Sequence, residues 1–225
     1  MSFIVAVDGP AGSGKGTITK KIEKELGLIN LDTGATYRCV ALQAVRNGLT
    51  AENEQEIIKM IDGIDIKIEN EKDKDIVFLN GEDVSREIRE IPVTNAVSSI
   101  SSIIPVREKM VELQRKLAEG KNVIAEGRDI GTVVFPNADL KIYLDASEEV
   151  RAKRRYDENI KNGIDISYEE VLKSIQTRDK SDMNKKVGAL KKAQDAVVVD
   201  TTNLSIDEVV GVIKQLILNK MKSKI

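Results

Sequence analysis

Gly9-Pro10-Ala11-Gly12-Ser13-Gly14-Lys15-Gly16-Thr17 follows an unbroken apolar run, Phe3-Ile4-Val5-Ala6-Val7, and opens a stretch with Ile18, Ile22 and Leu26 on one stripe. Strand, glycine loop and helix in that order are the setting in which a G-x-x-x-x-G-K spacing becomes a phosphate cradle. The glycines let the backbone come close to an anion and turn its N–H groups inward. The helix start adds a partial positive charge aimed at the same point. Lys15 can then reach the outer phosphates of a nucleoside triphosphate. The residue after the lysine is commonly Ser or Thr, held to Mg²⁺; here it is Gly16, and the hydroxyl comes one position later, on Thr17.

Four further short apolar runs recur along the chain, at Leu28 to Asp32, Asn122 to Glu126, Leu140 to Leu144 and Ala196 to Val199. Runs without alternation suit strands buried on both faces of a parallel sheet, and helical patterns separate them. The helix after Lys15 stops at Gly27. The next carries Val40, Ala41, Leu42, Ala44 and Val45 and ends at Gly48. Thr50 is placed to cap a third helix that buries Ile57, Ile58 and Ile61. Helical sequence resumes after Pro92 and Pro105, the second run reaching Leu117. Ser147, Ser167 with Glu170, and Ser205 with Glu208 read as helix starts, the last two as capping boxes. The expectation is an α/β fold: a five-stranded parallel sheet flanked by helices, with ligands at the carboxyl ends of the strands.

Residues 63–91 break that pattern. Ile64, Ile66 and Ile68 alternate with Asp65, Lys67 and Glu69, a half-exposed antiparallel strand, and Ile76 to Leu79 leads into Asn80-Gly81, a hairpin turn signal. They read as a small antiparallel insertion. The charged stretch 151–186 lies between the fourth and fifth core strands and reads as a helical lid. The organisation expected is one domain, 1–225, with its core in 1–62, 92–150 and 187–225. Lys220 to Lys224 reads as a frayed basic tail.

Composition narrows the chemistry. The 225 residues are 41% hydrophobic, enough for a substantial core, and 35 Lys and Arg against 37 Asp and Glu leave a net charge of −2. That balance argues against holding a nucleic-acid polymer by bulk positive charge. The chain has no histidine, which excludes Ser-His-Asp and Cys-His catalysis and His metal ligation. Its one cysteine, Cys39, allows no internal disulfide and reads as buried filler. No apolar stretch reaches membrane-span length, and the N-terminus lacks signal-peptide features, so a soluble cytoplasmic protein is expected.

Phosphoryl transfer is largely positioning and charge neutralisation, and it asks for cations. Arg38 and Arg128 each follow a core strand on the edge that carries the glycine loop. Arg107, Arg151, Arg155 and Arg178 are further candidates. A nucleoside monophosphate is largely dianionic at neutral pH and needs little help from a general base, so the missing histidine fits a phosphate acceptor. The Gly16-Thr17 ending points the same way, since GKGT is found in nucleotide-metabolising kinases.

GPAGSGKGT, LDTGATYR, EGRDIGTVVFPNADLKIYLDAS, RAKRR and TRDKSDMN together resemble the bacterial cytidylate kinase family of P-loop kinases, nearly end to end. That resemblance implies transfer of the ATP γ-phosphate to CMP and dCMP, with Mg²⁺ accompanying the ATP. It names no direct protein ligand for the metal. It implies that Gly9, Pro10, Ala11, Gly12, Ser13, Gly14, Lys15, Gly16 and Thr17 hold the ATP phosphates. Thr33, Tyr37, Arg38 and Arg128 would gather the CMP phosphate, and Ser98, Arg107 and Asp129 would read the cytosine. Arg178 and Asp182 would contact the ribose, and Arg151 and Arg155 would meet phosphates during transfer, with Lys15 and Arg128 also catalytic. It implies a monomer. Glu126 stands where the family would have Asp, and Lys185 where an arginine is expected. Two other readings are a kinase for a different monophosphate on the same fold and a non-catalytic ATP or GTP switch. No Asn-Lys-x-Asp base-reading motif supports the switch.

Overall fold

The computed structural model describes residues 2–70 and 75–224; residues 71–74 of the expected insertion lie outside the described residues. In order, the elements are β1 (Ile4–Asp8), α1 (Lys15–Leu26), β2 (Ile29–Asp32), α2 (Thr33–Arg46), α3 (Glu54–Asp62), β3 (Ile66–Asn70), β4 (Asp75–Leu79) and β5 (Glu82–Asp83). Then come α4 (Ile91–Ile100), α5 (Ile104–Ala118), β6 (Val123–Gly127), β7 (Leu140–Asp145), α6 (Glu148–Lys161), α7 (Tyr168–Asn184), β8 (Val197–Asp200) and α8 (Ile206–Lys222). A 3-10 turn spans Glu87–Arg89, and a single turn of π-helix spans Ile130–Val134. Two compact units result: Met1–Asn30 with Gly120–Ile225, and Leu31–Glu119.

The expected five-stranded parallel sheet is present, in the order β2-β6-β1-β7-β8. β1 is its central strand, and Val5, Ala6 and Val7 are fully buried, which is why that run carries no polar residue. In the first unit Ile18 and Ile22 of α1 pack with Val209, Val210, Ile213 and Ile217 of α8 around the sheet. Burying each side chain of this size contributes about 1.5–3 kcal/mol. The capping boxes at Ser167 and Ser205 form as read, and Ser147 accepts from Val150 N. Ala152, Val171 and Ile175 make a small core between α6 and α7.

The C-terminal basic segment is tied down rather than frayed. α8 continues to Lys222, and Lys224 Nζ reaches Asp139 Oδ1 at 2.6 Å and Ser2 O at 3.2 Å. An ion pair and a carbonyl contact offset the entropy of ordering that end.

In the second unit α2, α3, α4 and α5 surround a core that includes Val40, Leu42, Ile57, Ile88, Ile100 and Met110. Cys39 lies in this core, and burial pushes its thiol up to about 12, so it is an inert filler as expected. The antiparallel insertion has three strands, ordered β3-β4-β5. Asn80 and Gly81 take φ of 52° and 86°, the left-handed pair of a two-residue hairpin, and they join β4 to the short β5. Thr50 does not cap α3, contrary to expectation. The helix begins at Glu54, and the Asn53 side chain turns back to accept from Thr50 N at 2.9 Å, closing a local turn instead.

Candidate active site

The first unit carries the phosphate cradle. β1 ends at Asp8, the backbone turns through Gly9, Gly12 and Gly14 at positive φ, and α1 starts at Lys15. A side chain at position 9 would put its Cβ 2.2 Å from Leu144 O, so the loop lies directly against β7 there. Lys15 is 7% exposed, and its Nζ donates to Gly9 O and Pro10 O, both at 2.8 Å, and to Ser13 Oγ at 3.2 Å. Burial and then the neighbouring Arg128 guanidinium hold its ammonium well below the ordinary lysine value, against the opposing pull of Glu126 and Asp8. A phosphate bound here would restore that charge at the point where a triphosphate carries most of its own.

Glu126, at the end of β6, faces this loop. Its Oε1 accepts from Thr19 Oγ1 at 3.3 Å, and a Cβ at position 16 would lie 3.1 Å from the same oxygen. The glycine at 16 and the carboxylate at 126, both departures from common patterns, are thus in contact. A carboxylate oxygen beside the lysine of a phosphate loop is the donor type a hydrated Mg²⁺ takes.

Arg128, Asp129, Arg178 and Asp182 lie in this same unit. Arg128 Nε donates to Asp182 Oδ2 at 2.9 Å, and Lys185 Nζ lies 3.2 Å from Asp182 Oδ1. Burial pushes the Asp182 carboxyl up, but Arg128 and Lys185 outweigh it and hold the group below its ordinary value. Asp129 is 4% exposed and stands at the start of the π turn, where its carbonyl accepts from Val133 and Val134.

Arg151 and Arg155, both on α6, part company. Arg151 is buried: Nε donates to Ala146 O at 2.9 Å, and Nη1 to Ala11 O at 3.0 Å and Asp179 Oδ2 at 2.5 Å. It ties α6 and α7 to the glycine loop. Arg155 pairs with Glu158 on its own helix and is half exposed.

In the second unit Asp32 caps α2 by accepting from Ala35 N and also takes Arg38 Nη2 at 2.7 Å. Arg38 Nε is buried without a hydrogen-bond partner among the described residues. A buried guanidinium N–H left open in this way suits an anion. Arg107 is buried, stacks over the Tyr37 ring at 5.2 Å and donates to Ser101 O at 3.1 Å. Thr33 O accepts from Thr36 Oγ1, whose hydroxyl in turn takes Gln114 Nε2 at 2.8 Å. Ser98 sits on α4, its carbonyl accepting from Ser101 and Ser102.

Sequence reasoning missed Asp8, Gln114 and Asp179, and it left Lys185 outside the site. Asp8 had one visible signal: a carboxylate at the carboxyl end of the central strand, directly before the glycine loop. The others gain their roles only from residues distant in the chain.

A glycine loop at the end of the central parallel strand, with a buried lysine and the buried Arg151 guanidinium bonded to the loop, defines a P-loop kinase. Comparison with known proteins makes this specific. The sequence profile of the cytidylate kinase family matches residues 5–219. The chain is 43% identical to a cytidylate kinase of Caldicellulosiruptor bescii over 98% of both chains. It is 46% identical to one of Fusobacterium nucleatum, covering 96% of this chain and 97% of that one. The chain belongs to the cytidylate kinase family. A solved structure of an uncharacterized protein from Eubacterium ventriosum shares the fold alone, with a TM-score of 0.54 at 11% identity over 96% of this chain and 98% of that one. Among the described residues no helix is long and apolar enough to cross a membrane.

Proposed function

We propose that the chain transfers the γ-phosphate of ATP directly to CMP or dCMP, giving CDP or dCDP and ADP. The observation that carries this reading is Lys15, buried inside a glycine loop at the end of β1, in the same unit as the turn presenting Arg128 and Asp129. The loop N–H groups and the α1 N-terminus hold the donor phosphates. Lys15 and Arg128 neutralise charge on the transferring group, which is most of what this chemistry asks of a protein. The acceptor is itself a phosphate dianion, so no general base is needed, consistent with a chain that has no histidine.

Asp129 supplies the base discrimination in this reading. A buried carboxylate accepts from the cytosine amino group and repels the carbonyl that uracil places there. Leaving it unpaired costs the full desolvation penalty, so discrimination is large. Thr33, Tyr37, Arg38, Ser98, Arg107, Arg178 and Asp182 complete the acceptor set. The open Arg38 Nε favours a phosphate there. Mg²⁺ accompanies ATP; Thr17 and Glu126 offer oxygen donors that would hold it, and it would supply positive charge to neutralise the phosphates. The enzyme acts as a monomer.

A coupled ADP-release assay across CMP, dCMP, UMP, AMP and GMP tests the reading. CMP and dCMP are expected to be turned over far faster than the rest. Fast turnover of AMP with none of CMP would overturn it.

A further inference from the structure

Asp8 is the last residue of β1 and is 4% exposed. Neither of its oxygens faces solvent or the glycine loop that follows. Oδ1 accepts from Ile130 N at 2.7 Å and Oδ2 from Gly131 N at 2.8 Å. These are the first two N–H groups of the π turn, which, like the first N–H groups of any helical turn, have no partner within it. A side chain on β1 therefore caps a turn 122 residues away in sequence.

The residues immediately before that turn are Arg128 and Asp129. Asp129 sits at the cap position, with φ −139° and ψ 27°. The bonds from Asp8 fix the peptide planes on one side of Asp129, and β6 fixes those on the other through its register with β1, where Asp8 faces Gly127. Arg128 and Asp129 thus lie on a segment clamped at both ends by one residue of the central strand. Gly131 is shaped to the same contact: a Cβ there would stand 3.3 Å from Asp8 Oδ2 and 3.1 Å from Lys141 Cδ.

We propose that Asp8 is the positioning residue for acceptor recognition: by gripping the N–H groups of Ile130 and Gly131, it sets the direction in which Arg128 and Asp129 are presented. The role rests on the reading of Arg128 and Asp129 as acceptor-binding groups. Asp8 touches no substrate itself and acts through the turn.

The charged and titratable groups around the Asp8 carboxylate come from each element packed against it. Asp129 lies on the turn, Lys15 on α1, and Lys141 and Tyr143 on β7, with Lys141 itself held by Asp195 at 2.9 Å. Burial first, then Asp129, raise its pKa to about 6, against the two N–H bonds and Lys15. Protonation would turn one acceptor oxygen into a hydroxyl pointed at an N–H donor and open half of the clamp.

Two measurements test this. The first is steady-state kinetics of Asp8→Asn and Gly131→Ala at pH 7.5–8, where CMP is fully dianionic. Each variant is expected to raise KM for CMP by about tenfold or more, the effect of losing one hydrogen bond to a charged acceptor, with KM for ATP within about threefold of wild type. An equal rise for both substrates, or no rise for CMP, overturns the proposal. The second is an amide NMR titration of the substrate-free wild-type protein, which stands even if Asp8→Asn fails to fold. The Ile130 and Gly131 amides are expected to move together in one transition, in the direction of a weakened hydrogen bond, as pH is lowered from about 8 to about 4 and Asp8 protonates; amides that share no transition across that range overturn it. Because the titration uses no nucleotide, a chain that phosphorylated another monophosphate would fail the functional reading and leave this result intact.

Discussion

Asp8 imposes a stability cost with an unusual sign, and the cost can be measured. Its folded-state pKa is raised from an ordinary 3.8 to about 6, with burial the largest cause. The folded protein therefore binds this proton more tightly than the unfolded chain does. The stabilisation Asp8 contributes is complete below pH 3.8 and is lost as pH rises through about 6, the reverse of a salt-bridged aspartate. Above pH 7 the whole displacement is felt, about 3 kcal/mol against the fold, and roughly half of it accrues between pH 5 and pH 8. Asp8→Asn removes the titration and keeps the shape. Relative to wild type, the variant is expected to gain on the order of 1 kcal/mol from pH 5 to pH 8, which in a chain of this size moves the gap in Tm by a few degrees in favour of the asparagine. Thermal unfolding of both proteins without nucleotide, at pH 5, 6, 7 and 8 in matched buffers, reads Asp8 together with the groups coupled to it, because the titrating groups remote from Asp8 cancel in the difference. Parallel Tm curves, or a gap that moves against asparagine as pH rises, would refute the reasoning. With the expected result, a carboxylate that destabilises the fold at neutral pH is kept for what it does to the turn.

Lys15→Ala should lower the transfer rate by about 10²–10³ or more while circular dichroism and Tm stay near wild type, since the lysine's hydrogen bonds are confined to its own loop. Asp179→Ala removes one partner of a buried pair and leaves the Arg151 guanidinium uncompensated; a loss of about 3–5 kcal/mol is expected in denaturant unfolding. Glu126→Asp should raise the Mg²⁺ concentration needed for half-maximal stabilisation of the ATP complex in thermal shift by severalfold; an unchanged Mg²⁺ dependence would remove Glu126 from the metal's surroundings.

What was legible in the sequence follows from how local each signal is. The inner strands could be read because burial on both faces leaves continuous apolar runs, as at Val5 to Val7, whereas the edge strand β8 keeps an apolar run although Val197 and Val198 are exposed. The capping boxes at Ser167 and Ser205 could be read because donor and acceptor lie three residues apart. Thr50 failed by the same rule: Asn53, three residues on, competed for the local hydrogen bonds and won. The strand order could not be read, since β1 pairs with β6 across more than 110 residues. The π turn, the Asp8 clamp and the Arg151–Asp179 pair were hidden for that reason too. Each is a contact between distant segments, and an aspartate or arginine looks the same in sequence whether it meets solvent, substrate or a backbone N–H. The third strand of the insertion was missed because Glu82–Asp83 has no apolar pattern and exists only by pairing with β4.

The electrostatics of the first unit explain how so many cations can be buried before a nucleotide arrives. Lys15 and Arg128 are close enough that the guanidinium depresses the ammonium, and Arg178 adds to the effect. Left alone, such a group would repel itself and lose charge. Internal carboxylates oppose that, though on Lys15 burial and Arg128 still win: Glu126 and Asp8 act on Lys15, Asp182 holds Arg128 and Lys185, and Asp179 holds Arg151. These pairings differ in what they leave open. Asp179 and Arg151 are equally buried and Arg151 also bonds the backbone, an arrangement suited to tying α6 and α7 to the glycine loop. Asp182, by contrast, divides one carboxylate between two cations. A phosphate dianion offers more charge than that half share, so on the proposed reading of Arg128 a bound nucleotide would draw it away without leaving Asp182 unpaired, because Lys185 also pairs with it. The lysine in place of an arginine at 185 suits this role, since a compact ammonium holds a carboxylate as a point charge and does not need the fork geometry. The carboxylates thus offset much of the site's positive charge from within, and on the proposed reading of Arg128 as an acceptor ligand, Asp182 is where substrate charge would take over.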